Sequence, residues 1–353
     1  MRDRGDRDHH VLAGYGSTDR PFLLTLIDHR PMPPALAPEI LQRIFAGVYS
    51  RNTLLDILVC SHQFCRLVEP YVYAQIRFPG PVQTSKLSSL LESLETSDGR
   101  RAPYVRALSF PAISNRSEMD LIHKILAKTA KLQRLELGAS SSSSSRTPLE
   151  GYFARRSHPF SLTSLRISAV SAQHDQGLLD FLEAQTSLRT LHLRISTRAE
   201  PAAKRGFSPA ASFPDLAVLS APSYLVHSFL RASAHLTHLL VFGRVYWHDP
   251  EIRTTTMRTL SCSQGLAADA VASLASLFPN LQWLEAPVET MERLHPRNGR
   301  LRGIRFTERS LGARSSGALA RLFAAAPDLQ FVEYMRSGSE WLADWEEDVI
   351  DDD

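Results

Sequence analysis

Between Val105 and Tyr334 the chain returns ten times to one short pattern, and that return constrains its fold more than any other feature. In order the segments read VRALSF, LQRLEL, LTSLRI, LRTLHL, LAVLSA, LTHLLV, MRTLSC, LQWLEA, LRGIRF and LQFVEY. They begin at Val105, Leu132, Leu162, Leu188, Leu216, Leu236, Met257, Leu281, Leu301 and Leu329, with successive starts 20 to 30 residues apart. The first, fourth and sixth positions are apolar, and the third and fifth are more polar. Alternation of period two sends the fourth and sixth side chains to one face of a short strand. A single such strand buries almost nothing, whereas strands stacked in parallel bury a continuous aliphatic column. Between the strands lie stretches of helical periodicity: SEMDLIHKILAKTA (117–130), DQGLLDFLEAQ (175–185), AADAVASLASLF (267–278) and SGALARLFAAA (316–326). Several close at Pro-Asn or Pro-Asp ahead of the next strand. Strand, turn, helix, turn predicts an α/β solenoid with parallel strands and helices on its convex side.

The pattern resembles the L-x-x-L-x-L of leucine-rich repeats in a degenerate form, since the spacing is irregular and the asparagine usual after the strand is missing. The solenoid is expected over 79–338, interrupted by a loop at 139–148, where Ser140 to Ser145 precede Arg146-Thr147-Pro148, and by another at 197–209. Positions three, five and seven of each segment point away from the core and line the concave face. They nominate Arg134, Arg166, His192, Arg194, Phe242, Trp283 and Arg305 as target-binding residues, with Glu136, His238, Leu240, Glu285, Phe331 and Glu333 beside them. That face reads as basic at first, apolar in its middle, and tryptophan beside arginine at its far end. A protein target with an acidic or phosphorylated end and an apolar anchor would suit it.

Ahead of the repeats, LAPEILQRIFAGV (36–48) spaces Ile40, Leu41, Ile44 and Phe45 on one face of a helix that opens at Pro38, where a missing N–H costs nothing. A second helix, capped near Asn52 or Thr53, carries Leu54, Leu55, Ile57 and Leu58, and a third carries Phe64, Leu67 and Val68 and ends at Pro70. Three short helices make too small a core to stand alone. The run Leu36-Ala37-Pro38-Glu39-Ile40-Leu41, Ile44-Phe45, Leu54 to Cys60, Phe64 and Leu67, then Glu69-Pro70 and Tyr73 resembles an F-box over residues 34–78. It departs from that family at Ala37, where a second proline is usual, and at Ser61 and Phe64, which replace a basic residue and a tryptophan. The resemblance implies docking on the small adaptor of a cullin-RING ubiquitin ligase through Leu36, Pro38, Ile40, Leu41, Ile44, Phe45, Val59 and Phe64. It also implies that the solenoid selects a protein for ubiquitin transfer, inside the cell, in cytoplasm or nucleus.

Composition narrows the alternatives. Lys and Arg number 40 against 37 Asp and Glu, a formal charge of +3, so nothing demands the dense basic surface that a nucleic acid requires. The apolar run Pro21 to Ile27 is too short to span a membrane. Cys60, Cys65 and Cys262 have neither zinc nor redox spacing and are expected to be reduced and buried. No phosphate-cradling glycine loop, nucleophile elbow or zinc-binding helix is present, and the histidines are expected at the surface, so no cofactor and no catalysis are expected. Residues 1–33 are expected to be a disordered segment. Residues 339–353 form an acidic tail, with eight acids from Glu340 onward, and 292–314 hold seven arginines that could pair with it.

Overall fold

The computed structural model describes residues 36–48, 50–96, 99–139, 153, 158–171, 176–196, 213–243, 254–262, 264–287, 290, 300–307 and 328–334, together with 320, 323, 324 and 326. The first 33 residues, the 197–209 loop, the acidic tail, the serine-rich loop beyond Ala139 and most of 316–326 lie outside the described residues.

The helical unit forms as three short elements: α1 (Pro38–Ala46), α2 (Arg51–Cys60) and α3 (His62–Ala74). Ser50, rather than Asn52 or Thr53, caps α2, its hydroxyl accepting from the Thr53 N–H at 3.3 Å. Ser61 alone separates α2 from α3. Its extended backbone (φ −161°, ψ 157°) ends one helix, while its hydroxyl accepts from the Phe64 N–H at 3.1 Å and starts the next. The expected stop at Pro70 is wrong, because α3 runs through it to Ala74. Proline there removes one rung, at the carbonyl of the exposed Arg66, and burial of Val68 and Val72 on either side holds the helix together. Leu41, Phe45, Leu54, Val68 and Val72 form the unit's own core.

Helix α3 feeds directly into a sheet that, among the described residues, has eleven parallel strands in strict chain order. They are β1 (Gln75–Arg77), β2 (Ala107–Ile113), β3 (Arg134–Ala139), β4 (Ser164–Ser171), β5 (Thr190–Ser196), β6 (Val218–Pro222), β7 (His238–Phe242), β8 (Thr259–Cys262), β9 (Trp283–Ala286), β10 (Gly303–Phe306) and β11 (Phe331–Tyr334). Ten match the ten repeats. The other, β1, comes from the end of the helical unit and pairs with β2, Ile76 opposite Leu108. The fourth positions then stand in unbroken register: Ile76, Leu108, Leu135, Leu165, Leu191, Leu219, Leu239, Leu260, Leu284, Ile304 and Val332. At each strand entry one carbonyl accepts from two N–H groups of the next repeat. Gln133 O takes Thr163 and Ser164, Arg189 O takes Ala217 and Val218, and the arrangement recurs to Arg302 O with Gln330 and Phe331. Backbone donors are thereby satisfied on the turn as well as in the ladder.

Helices α4 (Thr84–Glu95), α5 (Arg116–Lys128), α6 (Gln176–Glu183), α7 (Ser223–Ala232) and α8 (Ala268–Leu277) pack on the side of the sheet that carries positions four and six. One contiguous core joins strand residues such as Phe110, Leu165 and Leu260 to helix residues such as Leu87, Ile122, Leu182, Phe229 and Leu274. Asn115 and Glu118 start α5 as a reciprocal cap, the Asn115 side chain accepting from the Glu118 N–H at 2.9 Å and the Glu118 carboxylate accepting from the Ser114 N–H at 2.7 Å. No helix among the described residues is long and apolar enough to cross a membrane.

The helical unit is fastened to the solenoid by charge as well as by chain. Glu69 of α3 is only 2% exposed and receives Arg101 Nε at 2.9 Å and Arg100 Nη2 at 3.1 Å. The Arg101 guanidinium also lies over the Tyr73 ring, 5.4 Å from its centroid, and donates to Ser93 of α4, which the Tyr73 hydroxyl meets at 2.7 Å.

Candidate functional site

Two surfaces are built by this arrangement. On the helical unit, the four residues expected to share one face of α1 divide into two stripes. Leu41 and Phe45 point inward, Phe45 meeting Phe64 edge-on at 5.9 Å, and both are buried. They are core, so neither is available to a partner, and Phe64 is half-buried behind them. Ile40 and Ile44, one turn apart, stand outward, 48% and 50% exposed, Leu36 ahead of the helix is exposed as well, and Pro38 is exposed at the helix start. On α2, Val59 is 80% exposed, and Leu55, one turn before it, is exposed too. Leu55 was absent from the expected face, although its four-residue spacing from Val59 is in the sequence.

The second surface is the open side of the sheet. Its fifth positions run Arg77, Ser109, Glu136, Arg166, His192, Ser220, Leu240, Ser261, Glu285, Arg305 and Glu333 across the eleven strands, by the same register. The basic reading of its first half needs correction. Arg166 lies 3.9 Å from Glu136, whose other oxygen accepts from the Ser109 hydroxyl at 2.6 Å, so this charge is met within the sheet. Arg134 and Arg194 are exposed. His192 is buried, contrary to the expectation of surface histidines, and so offers a target no ring. Leu240 and Phe242 are half-buried.

At the far end the residues assemble more closely than their spacing suggests. Trp283 lies over Gly303, where a Cβ would collide with the indole ring, and stacks on Phe331 with centroids 5.9 Å apart and planes 14° apart. Glycine at position 303 is therefore what lets an indole span one strand to reach the next but one. Beside this platform, Arg305 gives Nε and Nη2 to one oxygen of Glu333, at 2.9 and 2.6 Å. Glu285 is buried and accepts from the Ser261 hydroxyl at 2.9 Å. Burial raises its carboxyl to about 7, against the opposing pull of the Ser261 hydrogen bond and the Arg305 charge. Burial also raises the Cys262 thiol, helped by the Glu285 charge, which keeps it protonated at neutral pH. Cys60, expected to be buried, is instead exposed, its Sγ 3.2 Å from the Asp56 carbonyl. Among the described residues no group of three or more His, Cys, Asp or Glu is placed to hold a metal ion.

No protein-family model and no curated protein matches the chain. Among solved structures, the leucine-rich repeat-containing protein LegL7 from Legionella pneumophila is similar at 14% identity, covering 81% of this chain and 88% of that one, with a TM-score of 0.42. The solenoid assignment rests on the register of the eleven strands. The chain is a parallel α/β solenoid of leucine-rich units.

Proposed function

We propose that the chain is the substrate-recognition subunit of an SCF-type cullin-RING ubiquitin ligase, with α1 and α2 docking on the ligase's small adaptor and the open sheet face receiving the target protein. The observation that carries the reading is the outward pair Ile40 and Ile44 on α1 with Leu36 just ahead of it, three branched aliphatic side chains left about half exposed beside a stripe, Leu41 and Phe45, that is packed. Water gains nothing from such an outward pair, and aliphatic residues in a row on an ordered helix mark a contact surface. Their sequence is also the part that resembles an F-box. Covering what remains exposed would contribute about 1 kcal/mol for each side chain, half the value of a complete burial. The double variant Ile40→Asp, Ile44→Asp tests this, because both residues lie outside the core. The adaptor should co-elute with the parent chain and not with the variant, while circular dichroism and melting stay unchanged. Co-elution of the adaptor with the variant would sink the reading.

A second reading, an interaction scaffold with no ligase attached, draws on the fastening of α3. Glu69, Arg100, Arg101 and Tyr73 make the helical unit a cap on the first strand, a role that needs no adaptor. A well-folded parent chain that fails to bind the adaptor would favour it.

A further inference from the structure

Away from both faces, the turns that lead into β7, β8, β9 and β10 enclose an open cavity of about 400 Å3, within the usual range for small-ligand sites. Arg258 and Arg300 line it, with Gln282 between them in chain order, and no Asp or Glu does. Neither arginine is paired with a carboxylate among the described residues. Three of the other polar side chains are already engaged in the structure. Thr237 and Thr256 donate their hydroxyls to the Ala217 and Leu236 carbonyls at 3.1 and 2.8 Å. Asn280 donates its amide to the Thr255 carbonyl at 2.6 Å, and its oxygen accepts an N–H of Arg300. That last pair matters most, because it fixes one guanidinium in the cavity wall through a side chain that carries no charge. A guanidinium anchored by an amide has no adjacent negative charge to offset its own and keeps most of its donors free, whereas one anchored by a carboxylate has its charge balanced by that anion.

We propose that this rim cavity binds a phosphoryl group, Arg300 and Arg258 each supplying forked N–H donors and Gln282 its amide. A tetrahedral dianion with three free oxygens can engage two guanidinium forks at once, where a carboxylate is satisfied by one. Asn280 acts as a positioning residue for Arg300. The site is separate from the adaptor and target faces and stands or falls without them.

The test uses the full chain at constant ionic strength, with inorganic phosphate, N-acetyl-O-phosphothreonine amide and, as control, N-acetylthreonine amide, followed by titration calorimetry. Saturable binding of at least one phosphorylated probe and none of the control is expected. Arg258→Ala with Arg300→Ala should weaken it at least tenfold, Asn280→Ala a few-fold, and Arg302→Ala, an exposed rim arginine outside the cavity, not at all. Should the double variant fold poorly, Arg300→Lys keeps the charge, loses the fork and should still weaken binding. Tighter binding of phosphothreonine would place the group on a protein side chain, and tighter binding of inorganic phosphate would make it a free anion. Non-saturable binding by the parent, or an equal loss in Arg302→Ala, would overturn the proposal in favour of diffuse charge along the rim.

Discussion

Glu285 shows how one residue on the open face ties stability to pH. Its carboxyl titrates at about 7 in the folded chain because burial penalises the anion, against 4.5 for the group in water. Below 4.5 it is protonated in both states and costs nothing. As pH rises from 4.5 to 7 the unfolded chain gives up the proton freely while the folded chain holds it, so stability falls across that window and levels off above it. The full penalty is on the order of 3 kcal/mol, at about 1.4 kcal/mol for each pH unit. Glu285→Gln keeps the shape and can still meet the Ser261 hydroxyl, so it should be more stable than the parent at pH 8 and nearly equal at pH 4. Urea unfolding of both chains at a series of pH values checks this, and parallel curves would show that Glu285 is solvated. Sequence placed Glu285 on the open face but could not announce its burial beside Ser261 of the neighbouring strand. The same holds for Arg166, whose charge is answered by Glu136 thirty residues earlier and one strand away. Leu41 and Phe45 were legible as apolar and helical, yet periodicity alone could not say which of two adjoining stripes the third helix covers.

At the scale of elements, the most informative misreading is α3. Proline at 70 reads as a stop, yet the helix needs its last turn to deliver Tyr73 to Ser93 and Ile76 to the sheet. Helices α4 and α7 were not foreseen either: α4 is rich in serine, and α7 fits its β-branched and aromatic residues into a connection between strands only 20 residues apart. Tertiary packing overrides weak local preference in both. The joint between α3 and the sheet is held by Glu69, and its charge is what the two arginines are gathered around. Glu69→Ala leaves Arg100 and Arg101 partly in water, so the loss is smaller than for a fully buried pair, about 1–3 kcal/mol. The damage should be local. Hydrogen exchange is expected to quicken in α3 and around 99–106 while β6 to β8 keep their protection, and uniform loss of protection would show that the joint is not a separate unit.

Over the whole molecule, order in the chain and order in space coincide: every strand lies beside its sequence neighbours, and the fourth positions form one ladder from Ile76 to Val332. This is why so much of the fold was legible, since a repeat read along the chain is also the repeat of the core, and why its irregular spacing mattered little, the excess being absorbed between strands. The same geometry predicts how damage should depend on position. Leu191 is fully buried in the middle of the ladder, with Leu165 on one side and Leu219 on the other. Val332 is half-buried on the last described strand, with Ile304 beside it. Leu191→Ala opens a cavity that neither neighbour can fill without leaving register, and should cost about 2–5 kcal/mol. Val332→Ala removes less apolar surface at an edge that can relax, and should cost about 1 kcal/mol or less. Because each unit touches only its neighbours, the central lesion should also split the array, with exchange rising in β4 to β6 before β9 and β10. Denaturant melts of the two variants read the energies, and exchange reads where the chain opens. Equal costs at the two positions would mean that stability is not carried by the ladder.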